Sequence, residues 1–454
     1  MKAIHKDILR LAIPSILANI TVPVVGMVDI AVTGHLSGAV AASIGGISIG
    51  SMLFDLLYWN FAFLRAGTGG LTAQAYGRAD MQECGRILCR GLGLSLLMAA
   101  LVLAIQWPFT RLAFLVVDSS AEVRELALQY YFIRVWAAPA TLSLMTLRGW
   151  FIGMQDTVSS MWTDLVVNGM NILASVVLAL GIGGWPGLGF KGVAYGTLVA
   201  QYSGLLFALG VLAVKYWKKV LPQISLRQAV ESFRGNDLKG FFSMNADLFL
   251  RSVGFILIYI GFTVISARFG DLMLASSAIM MKLLMLFSFF TDGFAYAGQA
   301  LTGKFIGERN PGGLQETVKA VFNWSMGVAV LFIGIYGALG VPLLRIMTSD
   351  GQVVEACRQF LPWLIAMPPL GCAAFTWDGI YEGATASRPI RDAMLAAALL
   401  FFLTWFGGKA VLDHFSPESY QAAALHVLLG AYFMHLLTRT VWLSATYRKS
   451  IFIK

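Results

Sequence analysis

What most constrains this chain is a recurring alternation. Apolar runs of about 20 residues, punctuated by short stretches of Gly, Pro and charge, follow one another from end to end. At 1.5 Å rise per residue, a helical run of about 20 residues crosses a hydrocarbon core of roughly 30 Å. Lipid offers a spanning backbone no water to bond to, so helices that satisfy their own amides are the stable solution. Composition agrees, because 58% of the 454 residues are hydrophobic and only 13% charged, against roughly 25% charged in soluble domains. A water-soluble globular fold is excluded, and an all-α integral membrane protein is predicted.

Candidate spans lie near 9–36, 41–66, 89–115, 123–147, 160–182 and 190–216, then near 240–266, 273–304, 318–342, 353–383, 392–411 and 420–446. The longest polar interruption, 217–239, holds Trp217, Lys218, Lys219, Arg227, Arg234 and Lys239. It divides an amino-terminal lobe, 1–216, from a carboxy-terminal lobe, 240–454, each with six spans. The net charge of +9 would suggest nucleic acid in a soluble protein. Here Lys and Arg gather in the connections that an inside amino terminus would leave in the cytoplasm, so the positive-inside rule accounts for them, with both termini cytoplasmic. Lys2 and Lys6 precede an apolar stretch from Leu9 to Leu36 without a convincing cleavage site, which reads as a retained first helix. The four cysteines, Cys84, Cys89, Cys357 and Cys372, form neither a disulfide framework nor a metal-ligand spacing.

An internal repeat supports the two-lobe division. Leu71-Thr72 through Gly77 matches Leu301-Thr302 through Gly307 at an offset of 230 residues, and the same offset aligns Arg148 through Gly153 with Asp378 through Gly383. Six spans per repeat make the halves parallel, related about an axis along the membrane normal, with room for a central cavity.

Ionisable side chains inside spans are costly and therefore few, and each asks for a partner, a cavity or a function. Asp29 stands in the first span with no basic residue within helical reach, roughly 10 Å below the outer boundary. Desolvation there would bring its proton exchange toward neutral pH, as a proton-coupled carrier requires. Pro14 and Pro23 share that helix and permit bending. Asp164, Asn168 and Asn171 fall on one face of the fifth span, as either a functional stripe or helix glue. Asp247 and Arg251, four apart on the seventh span, are spaced to neutralise each other. Lys282 and Asp292 on the eighth are too far apart to meet, and Asp378 on the tenth has no nearby cation in its own helix. Met280, Met281 and Met285 offer either an adaptable binding wall or ordinary packing.

The first-helix pattern Val-Asp-Ile-Ala-Val-Thr-Gly-His-Leu, from Val28 to Leu36, resembles that of the multidrug and toxic compound extrusion transporters. The likeness covers essentially the whole chain, and the blocks Trp377 through Thr385 and Asn245 through Arg251 look most like the DinF branch of that family. The resemblance implies two six-helix lobes in a V around a central cavity. It implies export of cationic or amphipathic drugs, driven by inward H+ or Na+ flow. Asp29 takes the place of the family's ion-coupling acid, and Pro14 that of the proline where its first helix bends. Asn171 and Thr197 fit an Asn and a Thr of the family's amino-terminal network, whereas Ser175 stands where its second acid would be. Asp247 and Asp378 match the acids of a carboxy-terminal cation site.

These readings converge on an H+ (or Na+) antiporter of the bacterial inner membrane, a monomer without cofactor, metal or nucleic-acid partner. The proposed residues are Asp29, Asn171, Thr197, Asp164 and Asn168 for ion coupling, and Asp247, Asp292, Asp378, Arg251, Met280 and Met285 for substrate or a carboxy-terminal cation site, with Pro14 and Pro23 as hinges. A lipid-linked oligosaccharide flippase is the rival, favoured by intramembrane cations, of which Arg65, Arg134, Arg251 and Lys282 are candidates. An intramembrane enzyme would need a metal or nucleophile motif, and the five histidines give no H-E-x-x-H.

Overall fold

The computed structural model describes residues 2–36, 40–117, 119–218, 220, 237–415 and 420–452. Lys219, Arg227 and Arg234 of the predicted linker lie outside them. The described chain is helical: α1 (Lys2–Gly34), α2 (Val40–Trp59), α3 (Phe63–Gly77), α4 (Met81–Val116), α5 (Ala121–Arg134), α6 (Ala138–Gly153), α7 (Thr157–Leu180), α8 (Phe190–Tyr216), α9 (Asp237–Ala267), α10 (Asp271–Gly307), α11 (Pro311–Met347), α12 (Gly351–Arg358), α13 (Leu361–Gly383), α14 (Ser387–Phe415) and α15 (Tyr420–Tyr447).

Ten helical segments among the described residues are long and apolar enough to cross a membrane, or eleven if a bent pair counts as one. That pair is α12 with α13, bent by 57°, where one straight span over 353–383 was expected. Pro362 in the first turn of α13 has no amide to continue the α12 ladder, so the axis breaks there. The expected span near 123–147 is likewise two pieces, α5 and α6, joined by a 3₁₀ turn at Val135–Ala137. At 14 and 16 residues, neither alone reaches across roughly 30 Å of hydrocarbon. Exposed side chains such as Val214 (88%) and Leu115 (81%) are apolar, as a lipid-facing surface requires.

The chain forms two compact units: Leu17–Phe241, and Phe242–Lys454 with Met1–Ile16. The boundary falls inside α1, two residues after Pro14, whereas the sequence placed residues 1–16 with the amino-terminal lobe. Within the second unit, Gly293 of α10 makes room for α1, since a Cβ there would sit 2.4 Å from Ile16 Cγ1 and 2.9 Å from the Ala12 carbonyl oxygen.

Each unit repeats the other's local construction at the 230-residue offset. In the first, α6 crosses α3 so closely that a Cβ on Gly149 would lie 2.1 Å from the Arg65 carbonyl oxygen, and one on Gly153 would lie 2.6 Å from that of Gly69. In the second, α13 crosses α10 with Gly379 at 2.1 Å from the Ala295 oxygen and Gly383 at 2.3 Å from that of Gln299. Small residues four apart let backbones touch, and in lipid this packing, rather than water exclusion, holds helices together. The turns repeat too. Ala79, Gln155, Arg309 and Thr385 all take left-handed φ values of 52° to 61°. Each is followed by an amide that bonds back five residues, Asp80 to Ala75, Asp156 to Phe151, Asn310 to Phe305 and Ala386 to Tyr381. Next, Asp80, Asp156 and Asn310 cap α4, α7 and α11.

Candidate functional site

The Asp29 region is assembled by a tight pair, α7 and α8. A Cβ on Gly192 would lie 2.3 Å from the Leu178 carbonyl oxygen, and one on Gly196 would lie 2.5 Å from Ser175 Oγ. This small-residue face on α8 presses Ser175 and Asn171 of α7 against Thr197. Asn171 Nδ2 donates to Thr197 Oγ1 at 3.0 Å, and that hydroxyl donates onward to the Val193 carbonyl at 3.4 Å. The asparagine is thereby oriented, with its Oδ1 buried and unbonded.

On α1, Asp29 is 7% exposed. The Thr33 hydroxyl donates to the Asp29 backbone carbonyl at 2.7 Å, which leaves the carboxyl itself uncommitted, and Asp29 Oδ1 is buried with no hydrogen-bond partner. Ser175 is near enough to act on the carboxyl, although its Oγ has no partner at hydrogen-bond distance. Three buried oxygens on neighbouring elements thus lack partners, and most buried polar atoms do not. The carboxyl is neither turned out to lipid nor tied to a cation. Among the described residues Arg134 of α5, which lies over the Phe54 ring at 4.6 Å, forms no ion pair with the carboxyl at contact distance.

Asn168, next on the predicted stripe, donates to Thr21 Oγ1 of α1 at 2.5 Å, eight residues before Asp29. Asp164 pairs with Arg148 at 2.5 Å, so its charge is spent on α6. Pro14 and Pro23 both lie inside the unbroken α1, where each removes one amide from the ladder.

The second unit departs from the sequence expectation. Asp247 and Arg251 do not neutralise each other. Asp247 accepts from Arg391 Nη1 at 2.6 Å and from Ser387 Oγ at 2.8 Å, while Arg251 pairs with Asp378 and reaches Glu382 at 3.7 Å. Asp378, which has no cation nearby in its own helix, also receives Arg439 of α15 at 2.6 Å. Cations from other helices supply what the local sequence cannot. Arg439 and His435 are wholly buried and 3.5 Å apart. The spacing of these two ionisable residues, four apart within one span, was the signal that would have found them. Asp292 lies within reach of the Arg251 charge. Met280 is buried in the apolar core with Phe287 and Phe332, whereas Met285 is half-buried.

A family model for MatE matches residues 14–177 and 248–406, one stretch in each half of the repeat. The chain belongs to the MatE family. Among similar proteins is the DNA damage-inducible protein F of Escherichia coli (strain K12), 35% identical over 411 residues, covering 89% of this chain and 87% of that protein. A probable multidrug resistance protein NorM of Synechocystis is 23% identical, over 73% of this chain and 70% of that one. In fold, the chain superposes with a TM-score of 0.83 on an outward-facing conformation of a multidrug resistance MATE family transporter of the MOP superfamily, 17% identical, with 98% and 96% of the two chains covered. As a MatE protein it is a multi-pass membrane transporter rather than an enzyme.

Proposed function

We propose that this MatE protein is an antiporter that exports cationic or amphipathic small molecules in exchange for inward H+, with Asp29 as the coupling carboxylate. The observation that carries the reading is a buried carboxyl with an unbonded oxygen and no ion-pair partner among the described residues. A carboxylate committed to a guanidinium has no reason to exchange a proton near neutral pH; an uncommitted one at the edge of hydrocarbon does. Asn171, held by Thr197, and Ser175 place polar atoms around it, while Asn168 pins α1 through Thr21. Protonation and substrate binding must favour different states for exchange to be coupled. Bending of α1 at Pro14 or Pro23 is the local motion proposed to link them. The wider reading is twelve spans in two six-helix lobes around a V-shaped cavity, acting as a monomer in the bacterial inner membrane with both termini cytoplasmic.

The flippase reading needs unspent cations to meet a pyrophosphate. Of the cations named for it, Arg251 is committed to Asp378, which lowers the number free to meet a pyrophosphate, while Arg134 has no ion pair at contact distance among the described residues. Proteoliposomes loaded with ethidium and given an imposed proton or sodium gradient test the proposal. Gradient-driven ethidium movement by wild type and its loss in Asp29→Asn are expected. Equal movement in the variant would refute the role of Asp29, and drive by sodium alone would replace H+ with Na+.

A further inference from the structure

We infer that Arg251 and Arg439 are resident cations of the second unit: their guanidinium groups take the place that a bound cation would occupy at Asp378, so a coupling ion finds no site there. The inference narrows the antiporter reading given above, on which it rests, by leaving the first unit as the place where the ion is exchanged.

A hard cation is held by several oxygens, carboxylates foremost, and a site for one must offer them unspent. The acids matched to a carboxy-terminal cation site do not. Asp378 Oδ2 takes two guanidinium donors at once, Arg251 Nη2 and Arg439 Nη2, the latter at 2.6 Å. Glu382, one turn further along α13, has its Oε1 3.7 Å from Arg251 Nη1. Asp247 is engaged by Arg391 Nη1 at 2.6 Å and Ser387 Oγ at 2.8 Å. Asp378 Oδ1 is buried without a hydrogen-bond partner. One oxygen is too few, and the two guanidinium groups on its sister oxygen repel an incoming cation.

The resident charges are fixed in place and in charge state. Arg439 is wholly buried, its Cζ is 5.5 Å from the Phe375 ring centroid, and its Nη1 is 3.5 Å from His435 Nε2. His435 is itself wholly buried, its ring 5.0 Å from that of Tyr432. Three helices, α9, α13 and α15, thus converge on one carboxyl. A guanidinium, unlike an ammonium, does not lose its proton inside a protein, so pH cannot vacate the carboxylate. Two permanent positive charges meet two carboxylates, Asp378 and Glu382, and this contact cluster is neutral without an ion.

The internal repeat points the same way. At the 230-residue offset, Asp378 stands where α6 carries Arg148, and Arg148 is likewise spent inside its own unit, on Asp164 at 2.5 Å. The sign of the charge is inverted between the units while the pairing is kept. A position built for an internal ion pair allows that inversion; a cation site does not.

The test is equilibrium binding of radioactive Na+ to detergent-solubilised full-length protein, with ionic strength held constant by choline chloride and no substrate present. Wild type should take up no more Na+ than Asp378→Asn/Arg439→Gln, which removes the acid and one guanidinium together. Arg251→Gln/Arg439→Gln strips both resident cations and should raise Na+ uptake several-fold, with a Na+-dependent rise in Tm, and adding Asp378→Asn should abolish both gains. Arg439→Gln alone, which keeps Arg251, should show a smaller gain and serves if the double variant folds poorly. Wild-type uptake that survives Asp29→Asn but disappears in Asp378→Asn/Arg439→Gln would overturn the inference and leave Asp29 standing. No gain in either folded variant would also overturn it, because the guanidinium groups would then be taking no cation's place. Wild-type uptake lost in Asp29→Asn would support it while changing the coupling ion from H+ to Na+. The antiporter reading fails separately, if ethidium movement in proteoliposomes is indifferent to Asp29→Asn.

Discussion

Replacing Gly379 by Ala puts a methyl carbon 2.1 Å from the Ala295 carbonyl oxygen and 2.8 Å from its Cα. A carbon and a carbonyl oxygen in contact sit about 3.3 Å apart, so α13 and α10 must separate by about 1 Å. Both atoms struck belong to backbone, and no side chain can swing aside. Overpacking of this kind costs about 1–3 kcal/mol, a factor of about 5–30 in the folded-to-unfolded ratio across most of that range. Gly149→Ala meets the Arg65 backbone at the same 2.1 Å in the first unit and should cost a similar amount. Gly327 of α11 has nothing within 4 Å of its Cβ position, so Gly327→Ala should be neutral or stabilising by about 0.5–1 kcal/mol. Reversible unfolding of the solubilised protein, followed by tryptophan fluorescence, measures all three. Equal stability of Gly379→Ala and Gly327→Ala would refute the claim that these crossings are backbone contacts.

Asp378→Asn would leave Arg251 and Arg439 facing each other in the second unit. Breaking a buried pair costs about 3–5 kcal/mol, and pairing it with Arg439→Gln should recover part of the loss in a double-variant cycle. Asp156 caps α7 at a connection outside the spans. Burial pushes its carboxyl up, but Lys215, Ser159 and Tyr216 together hold it below the usual carboxylate range. Its stabilisation is therefore full above about pH 4, the ordinary value, and is lost as pH falls through the lowered one. Asp156→Asn keeps a side chain able to cap α7 but loses the charge-assisted bonds from Lys215, Ser159 and Tyr216, so it should cost about 1 kcal/mol at neutral pH and flatten the acid limb of a stability-against-pH curve. Met280→Ala should cost about 2–5 kcal/mol of stability with the ethidium preference unchanged; an altered preference would place Met280 on a binding wall.

Much of the fold is written locally. Apolar run length announces the spans, and Gly149, Gly153, Gly379 and Gly383 carry the repeat that the backbone crossings then display. Pro362 was equally visible, yet the break it makes at α13 was not read, because an apolar window is blind to the direction of an axis. Asp29 was legible because its isolation is a property of its own helix. The partners of Asp247 and Asp378 were not. Spacing along α9 suggests Arg251 for Asp247, whereas Arg391 and Arg439 come from helices more than 60 residues away, and only folding brings them in.

Proton release on substrate binding addresses the central claim most directly. Solubilised protein in weak buffer with a pH dye, mixed with ethidium near neutral pH, should release protons in wild type and none in Asp29→Asn. Ethidium binding without proton release in wild type, or undiminished release from the variant, would contradict Asp29 as the coupling group.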